Sequence, residues 1–249
     1  MAEYSLRAAS EARELIVKLH NSCLTHINEV TSSLKEEFEH TLHLESDLGQ
    51  WLDVLKGRVE SPQLNSAHRD FGLSLYAAAS GLYRQAFSSS RSSLEVFIAT
   101  TYLSASEFKR RQWVSGKLDI SWSYITSAEN GIYSQAFIGE FCPAAQSDRD
   151  EFVSLAKATY RRCSEYIHGN VATSQLLPTS IAYDKEIMRE WISLSRTTLL
   201  VTLHCFMIRY FTELDFGQQR KVEATLEDNL AHLVSVRRIL DLPVERSDS

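Results

Sequence analysis

Arg161, Arg162, Ser164, Glu165 and His168 crowd into the stretch Tyr160-Arg161-Arg162-Cys163-Ser164-Glu165-Tyr166-Ile167-His168-Gly169-Asn170. On a helix turning 100° per residue, Arg161, Ser164, Glu165 and His168 stand at i, i+3, i+4 and i+7 and share one face. Histidine titrates near neutral pH and can carry a proton to or from a reacting oxygen. Arginine offers a planar fork of donors that fits a phosphate and steadies charge developing on it. RNA brings its own nucleophile, the 2′-hydroxyl, so metal-free cleavage needs little beyond these groups. The competing reading is a solvated helix face in which Arg161 and Glu165 form a pair worth about 0.2–0.5 kcal/mol.

Two helices must position these groups. The first runs from about Asp148 and carries Phe152, Leu155, Ala156, Thr159, Tyr160, Cys163 and Ile167 on an apolar stripe, with Arg162 and Tyr166 flanking it. Gly169-Asn170 supplies a left-handed helix stop. The second bears Phe87, Leu94, Phe97, Ile98, Thr101 and Tyr102 on one face, with Arg91 inside that stripe and Glu95 at its edge one turn later. A guanidinium there has to be paired or face a cleft, because an unpaired buried charge costs on the order of several kcal/mol.

The 249 residues carry a net charge of -6, which argues against a general nucleic-acid or membrane-surface protein. Hydrophobic residues make up 44%, enough for a sizeable core. Nine glycines and four prolines leave long uninterrupted helical patterns and no convincing strand. Leu15, Ile16, Leu19, Cys23, Ile27, Val30, Leu34 and Phe38 form a stripe along one long helix, or two in line, ending near His40–His43. A second helix, Leu44 to Leu55, stops at Gly57. The turn at Gly81–Phe87 reads as that of a helical hairpin, residues 105–147 as short helices and loops, and Val171 to Pro178 as a loop. An apolar core helix spans Tyr183 to Leu214, and its most apolar run, Thr198 to Ile208, is too short for the ~20 residues of a membrane span. A last amphipathic helix precedes a polar tail after Pro243. Met1-Ala2-Glu3-Tyr4 opens without the pattern of a signal peptide. Cys23, Cys142, Cys163 and Cys205 are widely spaced, with neither a disulfide framework nor a zinc pattern, which suggests reduced thiols in a cytoplasm. No metal or cofactor is implied.

The arginine–histidine helix resembles the higher-eukaryote and prokaryote nucleotide-binding (HEPN) superfamily of helical bundles, whose ribonuclease members carry Arg, four to six residues, then His. Arg161 precedes His168 by six intervening residues and Arg162 by five, so both fit; the projection favours Arg161, and Cys163 after Arg162 departs from the polar residue often found there. The wider context is similar to bacterial HEPN-like proteins with an upstream Arg-x-x-x-Glu helix, as Arg91–Glu95, and a later helix ending Ser-x-x-x-His-Gly, as Ser164 to Gly169. The resemblance covers residues 65–215. It implies an all-α, HEPN-like helical bundle, with 1–64 an N-terminal helical extension and 216–249 a C-terminal helix and tail, packed as one compact unit. It further implies a metal-independent endoribonuclease of an anti-phage defence or toxin–antitoxin system, acting on RNA, often as a homodimer with its cleft between subunits. His168 would be the general acid/base, Arg161 or Arg162 the phosphate ligand, and Arg91, Glu95, Ser164 and Glu165 their supporting shell.

The second reading keeps the bundle without the chemistry: an antitoxin, adaptor or effector subunit. The acidic balance favours it, and the stripe from Leu15 to Phe38 offers a helix for a partner or a second copy. Other candidates are weaker. His20, His26, His40 and His43 scatter over helix faces, Asp148, Asp150 and Glu151 suit a helix N-terminus, Cys163 is an inert buried thiol, and Ser88-Ser89-Ser90 lacks the glycines and lysine of a phosphate loop.

Overall fold

The computed structural model describes residues 2–168 and 170–243, with side chains from Glu11 onward. It is 79% helical, with no strand among the described residues, so the fold is all-α. The helices are α1 (Ala2–Ser33), α2 (Lys35–Val54), α3 (Ser61–Ala79), α4 (Tyr83–Leu103), α5 (Glu107–Val114), α6 (Trp122–Ile125), α7 (Gln135–Phe141), α8 (Arg149–Ile167), α9 (Val171–Leu176), α10 (Lys185–Tyr210), α11 (Phe216–Leu230) and α12 (Val234–Ile239).

The hub is α10, which packs on α2, α4, α8 and α11. From Val201 to Tyr210 every residue is buried, so its apolar surface is used up inside the bundle. The helical span Lys185–Glu213 is long and apolar enough to cross a membrane by composition alone, yet 72% of its most apolar window is buried among the other helices. Contacts fix the helix directions. Phe97 of α4 and Trp51 of α2 both meet Phe206, at ring-centroid separations of 5.9 and 6.0 Å. Ser90 reaches Ser195 at 3.4 Å, so α4 runs parallel to α10. In contrast, α8 is antiparallel to α10: Arg162 near its end meets Glu190, while Asp148 at its start meets His204.

Helices α3 and α4 form the hairpin expected around Gly81. Leu82 N–H donates to Ala77 O at 2.8 Å and Gly81 N–H to Ala78 O at 3.0 Å, the paired bonds of a Schellman stop. Gly81 has φ 78°, and a Cβ there would lie 2.9 Å from the Ala182 carbonyl oxygen. Behind the hairpin, Trp191 Nε1 donates to Ser74 Oγ at 2.9 Å, and Ser74 bonds Ala86 O and Ser90 in turn, so these three buried side chains are satisfied.

Two apolar clusters fill the bundle. One joins Leu48 and Trp51 of α2 to Phe97, Phe206, Val222 and Leu226. The other joins Val30, Leu34 and Phe38 to Phe87, Cys163, Tyr166 and Trp191 beneath the last turns of α8. Both draw on residues outside 65–215.

Two boundaries differ from the sequence expectation. The first long helix breaks at Leu34, not near His40–His43, which sit inside α2. Leu34 is fully buried and bends to φ -132°, while the bonds Leu34 N–H to Val30 O and Phe38 N–H to Leu34 O stay at 2.9 Å. The apolar pattern therefore runs on through the bend and hides it. Second, Val171–Leu176 is a helix, because the Asn170 side chain accepts from Ala172 N–H at 3.1 Å and caps it. The end of α2 is where it was expected: the helix runs to Val54 and Leu55 is its C-cap, with φ -86°. The tail expected beyond Pro243 lies outside the described residues.

Candidate functional site

The apolar stripe of α8 buries Phe152, Ala156, Thr159, Cys163 and Tyr166. This face is rotated from the expected one: Tyr166 is completely buried, while Leu155, Tyr160 and Ile167 sit at the edges. The cause is the tyrosine ring, which stacks on Phe87 of α4 at 3.9 Å with planes 7° apart. Burying that large ring outweighs burying Ile167 one residue later.

Tyr166 then fixes Arg162. Its hydroxyl donates to Glu190 Oε2 at 2.5 Å, and Arg162 donates to the other oxygen of the same carboxylate. Arg162 also bonds Glu165 at 2.9 Å, and its guanidinium lies 5.0 Å over the Tyr166 ring. Hydrogen bonding to Glu190 foremost raises the Arg162 pKa, and hydrogen bonding from Arg162 holds Glu165 low. Arg162 is thus a tie between α8 and α10. Arg161, by contrast, has an 84% exposed side chain whose one ionic contact is Glu165 at 3.4 Å. Two guanidiniums meet two carboxylates here, so the cluster offers little surplus positive charge to a phosphate.

His168 closes α8 with φ -85° and an exposed side chain. Among the described residues its ring has no hydrogen bond or ion pair, whether with Arg161 or with Arg162. Ser164 Oγ donates back to Tyr160 O at 2.7 Å, a bond within its own helix. Gly169, on which the left-handed stop was expected, lies outside the described residues. Thr173 Oγ1 donates to Glu165 O at 2.7 Å and seats α9 against this end of α8.

Arg91 and Glu95 approach α8 from α4 at a different edge. Arg91 hydrogen-bonds the Tyr160 hydroxyl, lies 4.5 Å over that ring, and pairs with Glu95 at 3.7 Å. Trp122 of α6 stacks on the same tyrosine at 4.1 Å. Burial raises the Glu95 pKa against the pull of Arg91. The guanidinium inside the apolar stripe is therefore paired, as its position demanded, and its contacts run to Tyr160 and not to Arg161, Arg162 or His168. Cys163 is buried, and burial foremost, with the Glu190 charge, pushes its thiol up to about 12, out of reach of nucleophilic work at neutral pH.

Two polar centres escaped the sequence reading. Glu190 holds both Arg162 and Tyr166; it lies in the charged first half of α10, beside Glu186 and Arg189, so nothing in the sequence singled it out. Asp148 accepts from Ser147 at 2.8 Å and from Ser235, and lies 3.4 Å from His204 Nε2. Burial pushes Asp148 up, but these bonds outweigh it and hold the carboxyl below its usual range, while burial lowers His204. Asp148, expected to stabilise the helix N-terminus, is the N-cap residue of α8, with its side chain turned inward to tie α8, α10 and α12 instead of capping its own helix. Among the described residues no group of three His, Cys, Asp or Glu side chains comes together to hold a metal ion.

Compared with protein-family profiles, characterised proteins and solved structures, the chain matches none.

Proposed function

We propose that this chain is an HEPN-like helical interaction module, acting in a prokaryotic cytoplasm within a defence or toxin–antitoxin system, and that it pairs with a second copy of itself. The observation that carries the reading is an exposed apolar stripe on α1. Leu15, Ile16 and Leu19 are 58%, 66% and 42% exposed. They continue the stripe whose later members, Val30 and Leu34, are fully buried against the bundle. A helix face this apolar is built for helix packing. Sedimentation of the full chain at tens of micromolar tests this. The wild type is expected at twice the monomer mass and Leu19→Asp at the monomer mass with an unchanged far-UV spectrum. A monomeric wild type sinks the reading.

The metal-independent ribonuclease reading is favoured by one observation of its own: His168 and Arg161 are both exposed at the end of α8, and the His168 ring is uncommitted. Among the described residues nothing covers them, so catalysis there requires a second surface. Cleavage of RNA in the presence of EDTA, abolished in His168→Ala, is the supporting result. Equal activity in wild type and His168→Ala removes it.

A further inference from the structure

A second basic site, independent of the α8 face, lies in the groove between α2 and α10. The groove encloses about 390 Å³ and is lined by Arg189, Ser193, Arg196 and Thr197 of α10, with Ile192 and Leu200 beneath and Glu37 at its side. That volume falls within the roughly 300–1,000 Å³ usual for small-ligand sites. Arg189, Ser193, Arg196, Thr197 and Leu200 follow one another at helical spacing, so two guanidiniums and two hydroxyls share one ridge. The arginines stand about 10.5 Å apart along the axis, at about 1.5 Å per residue.

Arg196 is the unusual member. Its side chain is half-buried, yet no carboxylate lies within 4 Å and no hydrogen bond reaches it among the described residues, in contrast to Arg162 on the neighbouring helix with its two carboxylates. Its field falls instead on His40 of α2, whose pKa is lowered by burial first, then by Arg196 and His43. The groove thus sets two guanidiniums, Arg189 and Arg196, against one carboxylate, Glu37, which forms no ion pair with either. Arg189 has only a loose partner, Glu186 at 3.4 Å, itself 82% exposed. A partly desolvated arginine without a carboxylate is an arrangement completed by a ligand anion. Glu37 narrows the choice, since it disfavours anions bound along the α2 side and directs them onto the α10 ridge.

We infer that the α2–α10 groove binds a small phosphorylated ligand, its phosphoryl oxygens held by Arg196 and Arg189 with Ser193 between them, and its less polar portion resting on Ile192 and Leu200. Fork-shaped donors suit tetrahedral phosphate oxygens, and the serine hydroxyl can add a neutral donor to the same group.

Isothermal titration of the full chain with pyrophosphate and, separately, with a nucleoside triphosphate tests the inference. Wild type is expected to bind at least one of them saturably. Arg196→Gln should weaken that binding about tenfold or more, as expected for losing a charge-assisted contact, and Arg189→Gln less. Arg196→Lys should recover most of it, which separates lost charge from lost fold, and Lys221→Gln, an exposed lysine of α11, should leave it unchanged. Tighter binding of the nucleotide assigns the apolar floor a part in recognition; equal binding assigns the site to the phosphates alone. Absence of saturable binding by wild type to both ligands overturns the inference. So does equal affinity in wild type and Arg196→Gln.

Discussion

Arg161→Ala and Arg162→Ala change neighbouring residues of the same type and are expected to have very different costs. Arg162 bonds two carboxylates, Glu190 and Glu165, and approaches the Tyr166 hydroxyl at 3.4 Å. A buried charge-assisted hydrogen bond contributes about 1.5–3 kcal/mol and an exposed ion pair about 0–1. The Arg162 side chain is 36% exposed, so solvent screening places each carboxylate contact between these ranges, at about 1 kcal/mol. Their sum is about 2 kcal/mol, or a fall in Tm of about 4–8 °C for a chain of this size. Arg161 has an 84% exposed side chain and one contact at 3.4 Å, so its removal should stay within about 0.5 kcal/mol. Thermal and urea denaturation followed by circular dichroism measures both. A double-mutant cycle of Arg162→Ala with Glu190→Gln should return a coupling of about 1 kcal/mol. Equal midpoints for the two arginine variants refute the assignment of Arg162 to the fold and restore it as a candidate ligand-binding residue.

Gly81→Ala should cost about 1–3 kcal/mol, since the residue keeps φ 78° and its new Cβ would sit 2.9 Å from the Ala182 carbonyl; an unchanged urea midpoint contradicts this. Burial holds His204 below its ordinary 6.5, so the unfolded chain binds a proton that the folded one refuses. This contribution is fully present above pH 6.5 and is lost as pH falls through 6.5 toward the lower folded value, and His204→Phe should flatten the slope of stability between pH 7 and 5.5. A slope as steep in the variant as in wild type places the acid sensitivity elsewhere.

The helical class was legible because stripes such as Phe87–Phe97 and Leu226–Leu230 keep a strict period with few interruptions. The orientation of α8 was legible only to within one residue. Projection put Ile167 on the apolar stripe and Tyr166 at its flank, and the reversal between them depends on Phe87, a partner distant in sequence. The projection also placed Arg161, Ser164, Glu165 and His168 on one outward face, and Arg161 and His168 are exposed as that requires. It placed Arg162 beside the apolar stripe but could not give its partner, which is Glu190 on another helix. Arg91 was marked as needing a partner from burial alone; that the partner is Tyr160, backed by Trp122, required the packing of α4, α6 and α8. Leu34 shows the converse case, where an unbroken hydrophobic pattern conceals a bend made without glycine or proline.

Helix α8 is fastened to α10 at both ends, by Asp148 with His204 and by Arg162 with Glu190, and between them the apolar stripe is continuous. The two fastenings stand roughly 21 Å apart along α10, at about 1.5 Å per residue over the fourteen residues from Glu190 to His204. A slip of α8 by one helical turn, about 5.4 Å, would satisfy the apolar stripe nearly as well but would break both fastenings together. The polar ends thus act as a vernier, selecting one longitudinal setting from several that hydrophobic packing alone would accept. Arg161 and His168 are consequently carried at a fixed height and azimuth on the molecular surface, so whatever meets them encounters a rigid array and not one assembled on contact.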